Sequence, residues 1–301
     1  MTLDVTVAVL TFNGEEFLED LLNAVYSQKT KHKYEILIID SGSTDSTLEI
    51  CAKFPELRLE KIKNKDFGHG KTRNLAVDLS NSKYVLFLTQ DAVPANHYWM
   101  DAMVEPFEMF EKTSCVFGKQ IPRQDCNVTC KREVAAVFSG FGDDVSLGVH
   151  RISNVTENVG TYNSFFSDAN SAVLRERALE IPFRDIDYSE DIALAIDHMQ
   201  QGWLKVYAPL GQVMHSHDLT PKKFYKRKME DRIGAYKATQ DLQMISFSRA
   251  IRRFMTGTLR DFSFVIKDKE YSLGTKLKNL AMAPVYNFYY VKALRKTNNP
   301  A

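Results

Sequence analysis

The segment that decides the fold reads Tyr84-Val85-Leu86-Phe87-Leu88-Thr89-Gln90-Asp91. Its five apolar residues form the continuous run that is typical of a buried strand, and the run ends close to the carboxylate of Asp91. In an open α/β sheet, ligands bind at the edge where the carboxyl ends of the strands meet. The segment therefore predicts a buried strand that delivers Asp91 to a ligand-binding edge.

Two earlier apolar runs end in the same way. Residues 5–10 lead into Thr11-Phe12-Asn13-Gly14, and residues 35–39 lead into Asp40-Ser41-Gly42-Ser43-Thr44-Asp45. The carboxyl ends of parallel strands meet at one edge of a sheet, so these three polar strand ends should lie side by side. The pattern predicts a nucleotide site with a metal ion and is not typical of a random surface.

The order of elements predicts the fold class. Apolar periodicity predicts strands at 5–11, 34–40, 57–62 and 84–89, which alternate with helices at 15–28, 43–54, 70–79 and 96–110. This alternation predicts an α/β protein with a Rossmann-like, mostly parallel central sheet and helices on both faces. Residues 123–160 follow no clear pattern, whereas a helix is predicted at 189–201, a strand at 205–207 and helices from residue 221 onward.

The charge of the chain is divided unequally. The net charge is +1, but residues 221–301 hold 18 basic and 6 acidic residues, which leaves 21 basic and 32 acidic residues for the rest. The sequence therefore predicts an acidic catalytic domain, residues 1–220, and a basic helical region, residues 221–301, that meets something anionic. The acidic domain argues against nucleic acid as a partner. We find no leader and no apolar run of about 20 residues, and so expect a cytoplasmic protein.

Asp40 and residues 66–74 are candidates for nucleotide binding. The carboxylate of Asp40 can accept hydrogen bonds from a base or a ribose, and the alternative is a plain capped turn. Residues 66–74 form a glycine-bearing loop that enters a helix, so the N–H groups around Gly70 and the guanidinium of Arg73 could hold a diphosphate. The alternative for this segment is an ordinary surface loop.

Other carboxylates and histidines are candidates for metal binding and acid–base chemistry. Asp91 is a hard oxygen ligand suited to Mg²⁺ or Mn²⁺, with a helix-capping aspartate as the alternative. His215 and His217 lie on one side of an extended chain, where they could bind a metal or simply pack. Glu190 and Asp191 lie in the first turn of a helix, whose dipole favours their charged form. That position explains them structurally and also suits a general base.

Together these features resemble the inverting glycosyltransferases of family 2, which have the GT-A fold. The resemblance covers roughly residues 4–220, and its motifs occur in order along the chain. It implies nucleotide-sugar contacts by residues of the three strand ends and the glycine-bearing loop: Thr11, Asn13, Asp40, Gly70, Arg73 and Gln90. It also implies that Asp168 and Asn170 belong to the loop between donor and acceptor.

The resemblance also implies a mechanism. Asp191 would be the general base that takes the proton of an acceptor hydroxyl, with Glu190 in reserve, and the anomeric configuration would invert. Thr89 departs from the family pattern because it replaces the first acid of Asp-x-Asp. The Mg²⁺ or Mn²⁺ would then be held by Asp91 together with His215 or His217.

Residues 67–74 and 88–92 look like the rhamnosyltransferase branch of that family. This branch implies dTDP-L-rhamnose as the donor and a lipid-linked saccharide of bacterial cell-surface polysaccharide synthesis as the acceptor. The alternatives are a family 2 transferase that uses a UDP-hexose, a nucleotidyltransferase, and a non-catalytic protein that binds sugar nucleotides. A nucleotidyltransferase would normally carry a glycine-rich basic loop after its first strand, which residues 11–16 lack.

The C-terminal region mixes aromatic and cationic residues at 224–228, 249–254 and 286–296. Such segments can lie on an anionic membrane surface, which fits a lipid-linked acceptor at the inner face of the plasma membrane. The alternatives are a solvated helical cap and a homodimer interface formed by the aromatic face.

Overall fold

The computed structural model describes residues 3–124, 126–151, 165–239 and 244–296. Its strands are β1 (Val5–Thr11), β2 (Tyr34–Asp40), β3 (Arg58–Lys61), β4 (Tyr84–Thr89), β5 (Val93–Pro94), β6 (Thr113–Ile121), β7 (Gly148–His150), β8 (Asn170–Leu174) and β9 (Leu204–Met214). Its α-helices are α1 (Leu18–Tyr26), α2 (Thr47–Ala52), α3 (His69–Leu79), α4 (Trp99–Met109), α5 (Val128–Ser139), α6 (Arg175–Glu180), α7 (Glu190–Gln200), α8 (Pro221–Thr239), α9 (Phe247–Lys267) and α10 (Leu273–Arg295). The α/β class predicted from the sequence is confirmed. Residues 152–164, within the segment that follows no clear pattern, lie outside the described residues.

The strands form one mixed sheet in the order β3-β2-β1-β4-β8-β6-β9-β5, with β7 beside β9. The first four strands of this order are mutually parallel, as the sequence predicts. β8 then pairs antiparallel with β4 and with β6, and β5 and β7 pair antiparallel with β9. The sheet is thus parallel in one half only, because β8 enters it in the reverse direction beside β4.

The register of the parallel strands brings their polar ends together. Thr11 at the end of β1 pairs with Asp40 at the end of β2, and Leu10 pairs with Thr89 at the end of β4. The chain therefore leaves three adjacent strands at the same edge of the sheet. The edge predicted from the sequence is present, and it positions the site described below.

The core of the sheet explains why these segments fold as they do. Alternate residues of β1, such as Val5, Val7 and Val9, face a cluster of fully buried side chains. The apolar residues of α1 that repeat at helical spacing are buried in the same cluster, as are Trp99 and Met103 of α4. Full burial of each large apolar side chain contributes about 1.5–3 kcal/mol, so this core fixes the strand ends in place.

The chain divides into two compact units, which we describe separately. The first holds residues 1–120 and 139–215, and the second holds residues 121–138 and 216–301. The second unit consists of α8, α9 and α10 together with α5, which precedes the predicted boundary at residue 220. Val128 of α5 packs with Val265, Tyr271 and Ala283 of the C-terminal segment. In the described part of the chain, no helix combines the length and the apolar character that crossing a membrane requires.

Candidate active site

Asp40 and Thr11 anchor the first part of the site at the ends of β1 and β2. The carboxylate of Asp40 is buried and accepts hydrogen bonds from the Thr11 hydroxyl at 3.1 Å and from the backbone N–H groups of Gly42 and Ser43 at 3.0 Å. Gly42 has a φ of +93°, a conformation that glycine adopts without strain. Asp40 therefore orders the turn that follows β2, as well as lying at the predicted nucleotide-binding edge.

Gln90 joins the loops that follow β1 and β4. Its side-chain oxygen accepts the backbone N–H of Phe12 at 2.8 Å, and its Nε2 donates to the Phe12 carbonyl at 3.1 Å. A Cβ at Gly14 would lie 2.6 Å from the Gln90 oxygen, so glycine leaves room for this clamp. Asn13 adopts a left-handed backbone (φ +49°) and accepts the Thr44 N–H on its side-chain oxygen at 2.8 Å. The predicted nucleotide contacts Thr11, Asn13, Asp40 and Gln90 are thus brought together at this edge.

The exposed ring of Phe12 lies between these predicted contacts. Its side chain is 46% exposed, although its backbone is held on both sides by Gln90. Phe12 belongs to the strand-end motif Thr11-Phe12-Asn13-Gly14, but it is not among the individual contacts predicted from the sequence, because a lone aromatic in a loop carries no specific signal. A fixed backbone with an exposed ring is a suitable surface for stacking a flat group such as a base.

Arg73 lies at the centre of a buried charge cluster. Nη1 of this α3 residue approaches Oε1 of Glu190 at 2.5 Å and also donates to the His69 carbonyl at 3.2 Å. Its Nε atom lies 2.7 Å from Oδ2 of Asp168, where the pair forms an ion contact without hydrogen-bond alignment. The guanidinium is only 6% exposed. Arg73 is therefore committed to two carboxylates, a position that favours an organising role over direct contact with a diphosphate.

Asp191 is the third carboxylate of the cluster. Its Oδ2 accepts the backbone N–H of Asp168 at 3.2 Å, and its Oδ1 accepts the N–H of Ile192 at 2.7 Å. Ser189 occupies the N-cap position of α7, but it has a left-handed backbone (φ +65°) and its side chain forms no capping hydrogen bond. A non-glycine residue in that conformation is strained, and such strain is concentrated at functional sites. Simple helix capping by Ser189 therefore does not explain this segment.

The electrostatics of the cluster separate the roles of its acids. Burial raises the pKa of Glu190 to about 8, assisted by the charges of Asp191 and Asp168 and opposed by Arg73. Burial likewise raises the pKa of Asp168 to about 6, against the effect of Arg73. Three carboxylates surround a single guanidinium, so the most buried ones retain protons most readily. A pKa of about 8 keeps Glu190 mostly protonated at neutral pH and makes it a poor proton acceptor, whereas Asp191 is partly exposed.

Asp91 and His215 belong to a group of side chains that could hold a metal ion. Oδ1 of Asp91 lies 3.5 Å from Nε2 of His215, and Nδ1 of His215 lies 2.8 Å from Oε1 of Gln120. Gln120 in turn donates from Nε2 to the Ser167 hydroxyl at 3.0 Å. In this arrangement Nδ1 of His215 carries the proton and Nε2 presents its lone pair on the side of Asp91, as expected of a metal-ligating histidine.

The donor set fits a small divalent cation. Neighbouring ligands of an octahedral ion lie about 3 Å apart, close to the separation of Asp91 and His215. Asp91, His215 and His217 form a group of side chains that could hold a metal ion. His217 follows His215 by two residues in the sequence. The buried Thr89 hydroxyl has no hydrogen-bond partner among the described residues. An orphaned hydroxyl at this position is consistent with a site completed by a bound group.

Gly70, a predicted nucleotide-sugar contact, and Asn170, predicted to lie in the loop between donor and acceptor, occupy supporting positions. A Cβ at Gly70 would lie 2.1 Å from the Arg184 carbonyl, so glycine permits the close approach of that segment to α3. Asn170 of β8 is fully buried; it accepts the Trp99 indole N–H at 2.8 Å and donates to the Gly211 carbonyl at 2.7 Å. These contacts join β8 to α4 and to β9, two residues after Asp168.

Lys205 is a buried residue that sequence reasoning missed. Its ammonium group lies beside the Phe117 ring and donates to the Phe165 carbonyl at 2.6 Å, three residues before Asp168. Burial lowers the pKa of Lys205 to about 8. A lysine in a strand usually indicates a solvent-exposed position, so no local pattern predicts this contact.

Comparison with known proteins shows the family of the chain and similar folds. The family described as glycosyl transferase family 2 matches residues 6–177, more than half of the chain. The chain is 28% identical over 235 residues to the O-antigen chain rhamnosyltransferase RfbN of Salmonella typhimurium, with 74% of this chain and 69% of that protein covered. It is also 28% identical over 226 residues to the O-antigen chain rhamnosyltransferase WbaN of Salmonella anatum, with the same coverage.

A solved structure with a similar fold is the mannosyltransferase PcManGT from Pyrobaculum calidifontis in complex with GDP-Man and Mn²⁺. The TM-score is 0.61 at 16% sequence identity, with 98% of this chain and 86% of that chain covered. At this identity the similarity concerns the fold alone. The two chains share the arrangement of sheet and helices that carries the strand-end site.

Proposed function

The chain belongs to glycosyl transferase family 2, and we propose that it transfers L-rhamnose from dTDP-L-rhamnose to a hydroxyl of a lipid-linked glycan with inversion of configuration. It is a glycosyltransferase with the GT-A fold. The names of the two Salmonella relatives support the choice of rhamnose and of O-antigen polysaccharide synthesis as the setting.

The position of Asp191 is the observation that carries the proposed mechanism. It is the most accessible carboxylate of the cluster around Arg73, and it contacts the backbone of the loop that carries Asp168. In a single displacement, Asp191 takes the proton of the acceptor hydroxyl as the hydroxyl oxygen attacks the anomeric carbon. The bond from that carbon to the diphosphate oxygen breaks, and dTDP leaves with the electron pair.

The remaining residues position the reactants. Phe12, Asn13 and Asp40 form the surface proposed to hold the base and ribose of the nucleotide. Arg73 fixes Asp168 and Glu190, and Glu190 keeps its proton so that Asp191 alone serves as the base. The proposed ligands of a Mg²⁺ or Mn²⁺ ion are Asp91, His215 and His217. When bound, that ion would neutralise negative charge on the diphosphate.

A family 2 transferase that uses a UDP-hexose is the second candidate for the donor. Solved structures with a similar fold include the S. aureus protein TarS in complex with UDP, at 16% identity and a TM-score of 0.51. The names of the Salmonella relatives, and no contact with a base, favour rhamnose over a UDP-hexose. The donor is therefore the part of the proposal that needs the most direct test.

We propose that the enzyme works in the cytoplasm at the inner face of the plasma membrane. A lipid-linked acceptor would lie at a membrane surface. The excess of basic residues in 221–301 suits a membrane surface that is anionic.

The test of the donor is a comparison of three sugar nucleotides. The purified protein is incubated in turn with dTDP-L-rhamnose, UDP-glucose and UDP-N-acetylglucosamine, each with a lipid-linked glycan acceptor and Mn²⁺, and nucleotide release is measured. We expect release from dTDP-L-rhamnose only. Release from a UDP-sugar instead would overturn the rhamnose assignment but leave the assignment to glycosyl transferase family 2 unchanged. Release from none of the three, with dTDP still bound, would favour a non-catalytic binding protein.

A further inference from the structure

Helix α9 of the second unit exposes a stripe of large apolar side chains. Five of these side chains are between 46% and 68% exposed: Phe247, Ile251, Met255, Leu259 and Ile266. Their spacing of four, four, four and seven residues places them on one face of the helix. The residues that α9 buries in the unit, including Gly257, Asp261 and Val265, lie on a neighbouring face. Helix α9 therefore has an apolar face that remains exposed, in addition to the face that packs inside its own unit.

The charges on α9 have one sign. The helix carries five basic residues, all exposed: Arg249, Arg252, Arg253, Arg260 and Lys267. Its single acid, Asp261, is fully buried and is held by Arg132, by the Thr129 hydroxyl and by the Asn287 amide. The exposed part of α9 thus combines large apolar side chains with cations and presents no carboxylate.

Helix α10 repeats the same combination. It packs against α9 within the second unit. Leu273, Leu277 and Phe288 are between 56% and 75% exposed, and their spacing also places them on one face. The helix contains four basic residues and no acid. The two adjacent helices therefore expose apolar groups and positive charge together.

We propose that the exposed stripe of α9, extended by α10, inserts into the interface of an anionic phospholipid bilayer. An apolar face bordered by arginine and lysine is the pattern of helices that lie in the plane of a membrane surface. Apolar side chains enter the boundary between headgroups and acyl chains, while the cations contact lipid phosphates. A second copy of the chain would complement this surface poorly, because arginines of the two copies would face each other and their charges would repel.

This inference deepens the membrane location proposed above by naming the surface that makes the contact. It can be tested without donor or acceptor, so its failure is distinguishable from a wrong assignment of the reaction. Insertion would also explain why α9 exposes a large apolar face, because such a face is unfavourable in contact with water.

The experiment is flotation of the full chain with vesicles. One set contains phosphatidylglycerol and phosphatidylcholine in equal parts, and the other contains phosphatidylcholine only. The variants are the apolar pair Ile251→Asn with Leu259→Asn, and the basic pair Arg249→Gln with Arg260→Gln. The matched control is Leu179→Asn, which changes an exposed leucine of the first unit. Circular dichroism establishes that each variant is folded.

We expect the wild type to float with the anionic vesicles and not with the neutral ones. The apolar pair should lower the partition coefficient at least about tenfold. The basic pair should lower it about 25-fold at low salt, since each of the two charges contributes about fivefold, and less at high salt. The control should bind as the wild type does.

Three results would overturn the proposal. One is a wild type that does not float with anionic vesicles. Another is an apolar variant that floats as well as the wild type. The third is a wild-type dimer in sedimentation that the apolar pair converts to a monomer without loss of vesicle binding, which would assign the stripe to a second copy of the chain.

Discussion

Nη1 of Arg73 lies 2.5 Å from Oε1 of Glu190, although 117 residues of sequence separate them. This pair joins α3, which follows the glycine-bearing loop, to the first turn of α7. Because Asp191 is the next residue, the pair also fixes the helix end that carries the proposed base. The contact is buried, so Glu190 and Arg73 depend on each other for hydrogen bonding, while Asp168 is the second carboxylate beside the Arg73 charge.

Replacing Arg73 should therefore destabilise the fold. In Arg73→Met the side chains of Glu190 and Asp168 lose their buried partner, which should lower the free energy of unfolding by about 3–5 kcal/mol. Urea denaturation measures this change. The control is Lys53→Met, which removes the exposed pair with Glu19 and should cost less than about 1 kcal/mol. Equal effects of the two substitutions would contradict the organising role of Arg73.

Glu190 should make stability fall as pH rises. Its pKa is raised from 4.5 to about 8 on folding, so between these values the folded chain binds more protons than the unfolded chain. The free energy of unfolding then decreases with pH in this window and levels off above it. Glu190→Gln removes the titration, and its stability should depend less on pH between 5 and 8 than that of the wild type. Parallel curves for the two proteins would show that Glu190 does not titrate in this way.

The same protonation predicts that Glu190→Gln keeps most of the activity. A protonated carboxyl and an amide are both neutral and can both present an oxygen to Arg73. We expect kcat at neutral pH to fall by less than about tenfold, whereas removal of a general base typically costs more. The measurement is nucleotide release at saturating donor. A loss as large as that of an Asp191 variant would assign Glu190 to the chemistry itself.

Gln120 should affect metal binding although it is not a proposed ligand. It orients His215 through the contact at 2.8 Å, and loss of such a partner typically lowers metal affinity about 10- to 100-fold. We expect Gln120→Ala to weaken Mn²⁺ binding by this amount in a titration followed by electron paramagnetic resonance. Gln201→Ala, at an exposed position after α7, is the control. Unchanged Mn²⁺ affinity in Gln120→Ala would show that the contact between Gln120 and His215 does not support metal binding.

Asn170 should matter for stability more than for substrate affinity. Asn170→Ala leaves the Trp99 indole N–H and the Gly211 carbonyl without their partner in the buried sheet. Each unsatisfied buried group costs about 1–3 kcal/mol, so the free energy of unfolding should drop measurably. The affinity for dTDP should stay that of the wild type. A weakened affinity in a fully stable variant would favour direct contact with the substrate.

The strands that build the site edge were predictable because each signal is local. The segments of β1, β2 and β4 are mainly apolar, and polar residues stop each of them at its end. The direction of β8 was not predictable, since Asn170–Leu174 is a short segment with no alternation. Its antiparallel entry beside β4 makes the sheet mixed. Helix α5 was also missed, because the charged residues Lys131, Arg132 and Glu133 interrupt its apolar positions.

The sequence predicts which residues belong to the site better than it predicts the contacts between them. Asp191, Arg73 and Asp168 each carry a local signal in the sequence, but nothing local indicates that the last two form an ion pair. The protonation of Glu190 follows from burial by distant segments, so it could not be read from a Glu-Asp pair at a helix start. The placement of Gln120 behind His215 depends likewise on strands that are far apart in sequence.

The most direct test of the mechanism is the turnover of Asp191→Asn with dTDP-L-rhamnose and the lipid-linked acceptor, beside Asp78→Asn as an exposed control in α3. The account predicts a kcat lowered about 100- to 10,000-fold, an unchanged dissociation constant for dTDP, and a control that matches the wild type. A folded Asp191→Asn protein that turns over as fast as the wild type would contradict the assignment of Asp191 as the general base.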